Sequence, residues 1–491
     1  MSASLADLEP RSLWSHFEQL TRLPRPSKHE ERVVAWVREL AARHGWEVAS
    51  DAAGNLVVRV PATPGREAAP VVVLQGHLDM VAEKNKGVAH DFLADPIRAR
   101  LDGEWVRADG TTLGADNGIG VAAALAAASD PHVVHGPLEL LFTLDEETGL
   151  TGAKSLDGTL VHGRTLLNLD SEEDGVIYVG CAGGADAHLD LEAFTEAPAA
   201  GLSAVLLEIG GLRGGHSGLN IHENRGNAVK LLARVLHAAA EQGVPFQIAR
   251  IAGGDKHNAI PREAEAWLFV DPEAESKLRG LLHDAVAAFR QELAGIDDGL
   301  IARLAKAPPE AAGSPVLNVQ SRDRLLRLLV ALPHGVLSMS REIPGLVETS
   351  SNLASVRSDG GTVHILTSSR SSLMPALRGV LDAIVAAGRL AEAAVEARVG
   401  YPGWQPDLSS RALTVVSEVY ASRWGRPPKV TAIHAGLECG LIGERIPGMD
   451  MVSIGPQIEG AHSPEERVHV PSVARFWDAL SEVLDRLSRA A

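Results

Sequence analysis

Three short runs in the first part of this 491-residue chain, 71–74, 138–144 and 165–169, are almost continuously apolar, and each gives way to His or acidic residues. Apolar side chains at successive rather than alternating positions fit strands buried on both faces, the condition of a parallel sheet covered by helices. Between the first two runs, Asp116-Asn117-Gly118 opens the stretch GIGVAAALAAAS, which reads as a helix with a capping residue ahead of it. Strand, helix, strand is the expected order. Upstream, the spacing of Val33, Val34, Trp36, Val37, Leu40 and Ala41 predicts an amphipathic helix over 26–45, and a strand comes next over 54–60.

Near residue 185 the texture changes. From there to about 399 two rounds of strands and long amphipathic helices succeed one another, alike in pattern but not in sequence. After 400 the apolar, Gly-rich texture returns, with a helix over 413–424, a strand over 451–454 and a closing helix from Ser472. The expected fold is α/β: a discontinuous catalytic domain, 1–184 and 400–491, with a mixed, largely parallel sheet between helices, and an inserted α+β lid domain over 185–399.

Composition narrows the function. With 46 Lys and Arg against 63 Asp and Glu, the net charge of −17 argues against nucleic acid or an anionic membrane as partner. Cys181 and Cys439 are the only cysteines, so a thiolate zinc site cannot be built, and any metal must sit on His, Asp and Glu. No basic start followed by an apolar run, and no stretch of membrane-spanning length, is present in the sequence, so a cytoplasmic location is expected.

Polar residues cluster where the apolar runs stop. In VVVLQGHLDM, His77 and Asp79 lie two apart and emerge on one side of an extended chain, the usual arrangement of a metal-binding imidazole and the carboxylate that orients it. Asp116 sits in TTLGADNGIG, Glu146 and Glu147 in LDEETGLTGA, Asp170 at the end of RTLLNLD, and His462 in a Gly- and Pro-rich loop. Each alone has an ordinary reading: a hydrogen-bonded strand end, a helix cap, a solvated acidic turn, a turn cap, a solvated loop histidine. Together they put His or carboxylate at five strand ends with no cysteine, an array suited to zinc or another borderline-to-hard divalent ion. Of the two adjacent glutamates, one can ligate while the other carries protons.

The order GHLDMV, GADNGIG, DEETGLTGA, NLDSEEDG and EGAHSPEE resembles the aminoacyl-histidine (Xaa-His) dipeptidases, dinuclear zinc exopeptidases related to carnosinases, tripeptidases and aminoacylases. The resemblance runs over nearly the whole chain. It implies that Asp116 bridges two divalent ions, zinc first with manganese or cobalt as substitutes, that His77 and Asp170 hold one, and that Glu147 and His462 hold the other. It further implies that Asp79 orients His77, that Glu146 is the general base, and that the Asp116–Asn117 peptide is cis. In the inserted domain His216, in GGLRGGHSGLN, corresponds to an oxyanion-stabilising histidine, and Asn258 and Arg370 to polar substrate contacts. Gly436 and Glu438, in the segment TAIHAGLECG that also holds His434, correspond to the substrate pocket, with Glu438 directed at the substrate's amino group. A homodimer, a small peptide substrate and closure of the lid belong to the same expectation. An aminoacylase or tripeptidase on this scaffold, or a non-catalytic binding protein, are the alternatives.

Overall fold

The computed structural model describes residues 4–489 and divides the chain into two compact units. The first comprises 1–181, 404–432 and 437–491; the second comprises 182–403 and 433–436. These bounds lie three or four residues from the expected junctions at 184 and 399, and segment 433–436 groups with the second unit, where Ala182 donates to the carbonyls of Ile433 and Ala435.

The first unit is built on an eight-stranded sheet in the order Glu47–Ser50, Leu56–Val60, Leu138–Thr143, Val72–His77, Thr165–Asn168, Asp450–Ser453, Val176–Cys181, Lys429–Ile433. Its four central strands are parallel, and antiparallel neighbours flank them. All six residues of Val72–His77 and of Leu138–Thr143 are buried, as continuous apolar runs require. Helix Ala115–Ser129 packs on these two strands. It is apolar on every side and nearly all of it is buried, so it lies in the interior rather than on the surface. Its small residues permit a close approach: a Cβ placed on Gly120 would meet the carbonyl oxygen of Leu169.

The helix expected over 26–45 spans Glu31–His44, starting five residues later, and an unanticipated helix, Arg11–Thr21, precedes it. The reason for the late start is local. Pro26 bridges Met80 in parallel fashion, the Ser27 hydroxyl bonds to Asp79 at 2.7 Å and the His29 amide closes a turn on Pro26, so this stretch is held beside the carboxyl end of Val72–His77. Gly45 ends the helix in the left-handed region at φ 71°, where its amide reaches back to Ala41 and Ala42. A strand pair not anticipated from sequence, Ala99–Asp102 and Trp105–Ala108, joins Arg467–His469 and Ile458–Glu459 in a small antiparallel sheet.

The second unit is built on a nine-stranded antiparallel sheet, ordered Ile301–Lys306, Ser203–Gly210, Ala264–Val270, Gln247–Gly253, Val347–Asp359, Thr362–Ser371, Gly183–Glu192, Ala394–Tyr401, with Gly335–Met339 pairing beside Val347–Asp359, and it carries two short strand pairs, Thr195–Glu196 with Val316–Leu317 and Gly215–His216 with Ala259–Ile260. Helices Ala228–Glu241, Pro272–Glu292, Val319–Ala331 and Met374–Leu390 share its hydrophobic core. The two rounds seen in the sequence are the two halves of this sheet, joined through the pairs Ala252↔Arg357 and Gly253↔Val356. No helix among the described residues is long and apolar enough to cross a membrane.

Gly120→Ala tests the contact between helix and strand. We expect a loss of about 1–3 kcal/mol from overpacking, read as a lower urea midpoint with an unchanged m-value.

Candidate metal centre

Register brings the polar groups together. Val72–His77 pairs in parallel with Leu138–Thr143 (His77↔Thr143) and with Thr165–Asn168 (Gln75↔Asn168), so three strands finish on one edge of the sheet. The residues just beyond them, at the carboxyl ends of parallel strands, are where open α/β sheets bind ligands. His77 ends the first strand; Glu146 and Glu147 come after the second, and Asp170 after the third. Asp116 enters from the start of helix Ala115–Ser129, within which it and Asn117 keep non-helical backbone angles. The peptide between them is cis. His462 is delivered by the hairpin Ile458–Glu459 and Arg467–His469, at φ 63° on the loop between these strands.

Asp116 lies at the centre. Its Oδ1 is 3.0 Å from His77 Nε2, and its Oδ2 is 3.0 Å from His462 Nε2. The remaining carboxylates complete two groups: Asp170 Oδ1 is 3.4 Å from His77 Nε2, and Glu147 Oε2 is 3.0 Å from His462 Nε2. Asp116 therefore does not serve as a simple helix cap, because an imidazole stands against each of its oxygens. Ligand atoms of His77, Asp116 and Glu147 all lie within 4.8 Å of one another. Asp79, fully buried, lies 3.2 Å from His77 Nδ1 and also accepts from Ser27 and from the amides of Glu146 (3.0 Å) and Glu147 (3.2 Å). One carboxylate thus fixes both the imidazole and the turn that carries the two glutamates.

The electrostatics match a site made for positive charge. Hydrogen bonds to Asp116 and Glu147 push His462 up to about 11. Burial opposes a charge on His77, yet Asp170, Asp116 and Asp79 outweigh it and hold the ring well above its ordinary value. Asp116 is likewise held below the usual carboxylate range by His462 and His77 against its burial. Burial pushes Asp170 up to about 7 and raises Glu146 well above the ordinary value. Protons on the imidazoles take the place of cations among carboxylates that burial would otherwise make very costly. Glu147 Oε1 and Asp170 Oδ1 are buried without a hydrogen bond, which leaves acceptors free for a ligand other than a proton donor. Two imidazoles and three carboxylates fit a pair of divalent ions such as zinc, manganese or cobalt. Both cysteines are buried and free, and burial pushes the Cys181 thiol up to about 11 and the Cys439 thiol well above its ordinary value.

Glu438 is also fully buried, under this edge, with Oε2 accepting from Gln75 Nε2 (2.6 Å) and Thr143 Oγ1 (2.7 Å) and Oε1 unbonded. The other candidate residues belong to the second unit. There His216 pairs in a short antiparallel bridge with Ala259, next to Asn258, and its Nδ1 accepts from the amides of Gly218 (3.1 Å) and Leu219 (3.0 Å). Burial, and then Arg370, lowers His216 to about 4, so it is neutral near pH 7 with Nε2 carrying the hydrogen. Arg370 donates to the Tyr401 hydroxyl at 2.7 Å, His434 meets Ser350 Oγ at 2.7 Å, and Gly436 lies against the Tyr401 ring, which a Cβ would strike. Sequence reasoning missed Arg25, Ser27 and Glu466, which pin the loops beneath the ligands. The Glu at position 466, four residues past His462 in EGAHSPEE, was the one visible signal.

A parallel-centred α/β sheet that gathers His and carboxylate at its carboxyl edge defines the class, and the chain belongs to peptidase family M20/M25/M40, whose sequence pattern matches residues 73–486. It is 44% identical over 485 residues to the cytosol non-specific dipeptidase of Escherichia coli (strain K12), covering 99% of each chain. The crystal structure of aminoacylhistidine dipeptidase from Vibrio alginolyticus superposes with a TM-score of 0.94 at 39% identity, covering 100% of this chain and 99% of that one. A tripeptidase from Staphylococcus aureus subsp. aureus Mu50 shares the fold at a TM-score of 0.57 and 16% identity, with 98% and 100% covered.

The raised His462 gives a pH test in chelator-treated protein. A group whose folded pKa exceeds its unfolded value of 6.5 stabilises the fold fully below that value and loses its contribution as pH rises towards about 11. The stability advantage of wild type over His462→Gln should therefore be largest below pH 6.5 and fade by pH 11 in urea titrations. A constant difference across that range would remove the charge interaction.

Proposed function

We propose that the protein is a cytoplasmic metal-dependent dipeptidase that prefers Xaa-His substrates, β-alanyl-histidine among them, and works with two divalent cations, zinc in the first instance. The observation that carries this reading is the central Asp116 carboxylate, each oxygen of which faces a different imidazole, His77 or His462. The activities named for the Escherichia coli and Vibrio alginolyticus relatives support the dipeptide substrate and, for the second, the C-terminal histidine.

In this reading His77, Asp170 and Asp116 would hold one cation, and Glu147, His462 and Asp116 would hold the other. When bound, the pair supplies Lewis acidity, polarising the peptide carbonyl and making the attacking water acidic enough to ionise near neutral pH. Glu146 takes the proton from that water. The same carboxyl group then delivers that proton to the departing amine nitrogen, so one residue serves both steps. Asp79 holds His77 and the Glu146 amide in place. The roles that the resemblance gives to His216 (donor to the oxyanion), Arg370 (partner of the substrate's terminal carboxylate), and Asn258 and Gly436 (peptide contacts) are kept in this proposal. Oε1 of Glu438 is left for the substrate's amino group. The active form is a homodimer.

Glu146→Gln should lower kcat by about 100- to 10,000-fold while elemental analysis still finds metal bound. Near-normal turnover would remove Glu146 from the reaction. A panel of carnosine, other Xaa-His peptides, unrelated dipeptides, tripeptides and N-acyl amino acids tests the specificity. Equal rates on unrelated dipeptides would make the enzyme a broad dipeptidase, and activity confined to N-acyl substrates would defeat the reading. Because His77 and His462 hold protons where cations bind, metal binding should release protons and tighten as pH rises. Calorimetry in two buffers of different ionisation enthalpy measures that release.

A further inference from the structure

Two buried charges take no part in the chemistry above, and both act on the loop that carries Asp116. Glu466 and Arg25 are each 2% exposed. Glu466 Oε2 accepts from the amides of Leu113 (2.7 Å) and Gly114 (2.9 Å), and its Oε1 from those of Ala115 (2.7 Å) and Asp116 (3.1 Å). Arg25 donates to the carbonyls of Leu78 (3.0 Å), Asp79 (2.8 Å) and Gly114 (2.5 Å). Gly114 is thus gripped at its N–H by the carboxylate and at its C=O by the guanidinium. It lies at φ 73°, and a Cβ there would come within 2.6 Å of Arg25, as one on Gly118 would within 2.7 Å. The space is reserved for the guanidinium.

The elements tied together are the ones that carry ligands. Glu466 comes from the hairpin loop of His462, the four amides lead into Asp116, and Leu78 and Asp79 come directly after His77. Deprived of water, the carboxylate and the guanidinium need hydrogen-bond partners, and the backbone supplies them, four amides to Glu466 and three carbonyls to Arg25, while their opposite charges attract across Gly114.

We propose that Glu466 and Arg25 are positioning residues, a charge-balanced clamp that keeps the Asp116 carboxylate in register with His77 and His462 and thereby sets the affinity of this edge for divalent cations. The proposal rests on the metal-dependent reading for its purpose, but not for its geometry.

The test uses chelator-treated full-length protein: wild type, Glu466→Gln, and the double variant Glu466→Gln/Arg25→Met. Hydrogen exchange at the amides of 113–116 and stability to urea are read before zinc is added, and zinc affinity is then measured against a competing chelator. Glu466→Gln should speed exchange at these amides and weaken zinc binding by about 10- to 100-fold, as loss of a group that orients ligands does. The double variant removes both buried charges, so it should recover stability without recovering affinity. Affinity that returns together with stability, or a single variant that binds zinc as tightly as wild type, overturns the clamp. Should Glu466→Gln not fold, Glu466→Asp, which keeps the charge but shortens its reach, carries the same expectations. If wild type binds no zinc, the metal-dependent reading fails, and the exchange rates still decide whether the clamp exists.

Discussion

Parallel pairing of Val72–His77 with Leu138–Thr143 and Thr165–Asn168 sets the place where every later feature assembles. Once three buried strands run the same way, their backbone donors and acceptors are spent on one another and their side chains on the helices. Only the residues beyond their carboxyl ends are free to be polar. His77, the Glu146–Glu147 turn and Asp170 fall there because of strand register, and shifting one strand by a residue would move its polar end group by about 3.3 Å and turn it to the opposite face of the sheet.

Gathering so much negative charge in one place works against folding, and the site meets that cost in layers. Asp79 is bonded by Ser27 and two amides, and Glu466 by four amides with Arg25 close by. Asp116, Glu147 and Asp170 instead face imidazoles, and Glu147 and Asp170 each keep a buried oxygen with no hydrogen bond. Carboxylates of the first kind are held by the fold; in the proposed reading those of the second kind would take up cations.

Much of this was legible in the chain itself. The three apolar runs, the helix after Asp116 and the interrupted first unit emerge from periodicity and composition. The chemistry was legible as a set, since five polar strand ends without cysteine leave few alternatives, but the role of each came from resemblance. Contacts between segments far apart in sequence escaped. Arg25 lies in LPRPSKH with nothing local to single it out, and Glu466, though its place four residues past His462 in EGAHSPEE is visible, has nothing local to mark it as buried. The strand Gly183–Glu192 escaped as well, because two of its inward positions are Ala185 and Ala187 and weaken the alternation. The pair Ala99–Asp102 and Trp105–Ala108 draws its order from the hairpin of His462, through backbone pairing and through Trp105, which packs against His469 and Arg467.

The choice of nitrogen and oxygen donors has a bearing on the surroundings this chain tolerates. Its two thiols are buried and kept protonated; Cys439 adjoins Glu438 beneath the His and carboxylate edge, where burial, with the charges of Glu438 and Asp170 added to it, holds its proton. Peroxides and alkylating agents react with exposed thiolates and find none here. The His and carboxylate edge itself carries no sulfur for such agents to modify.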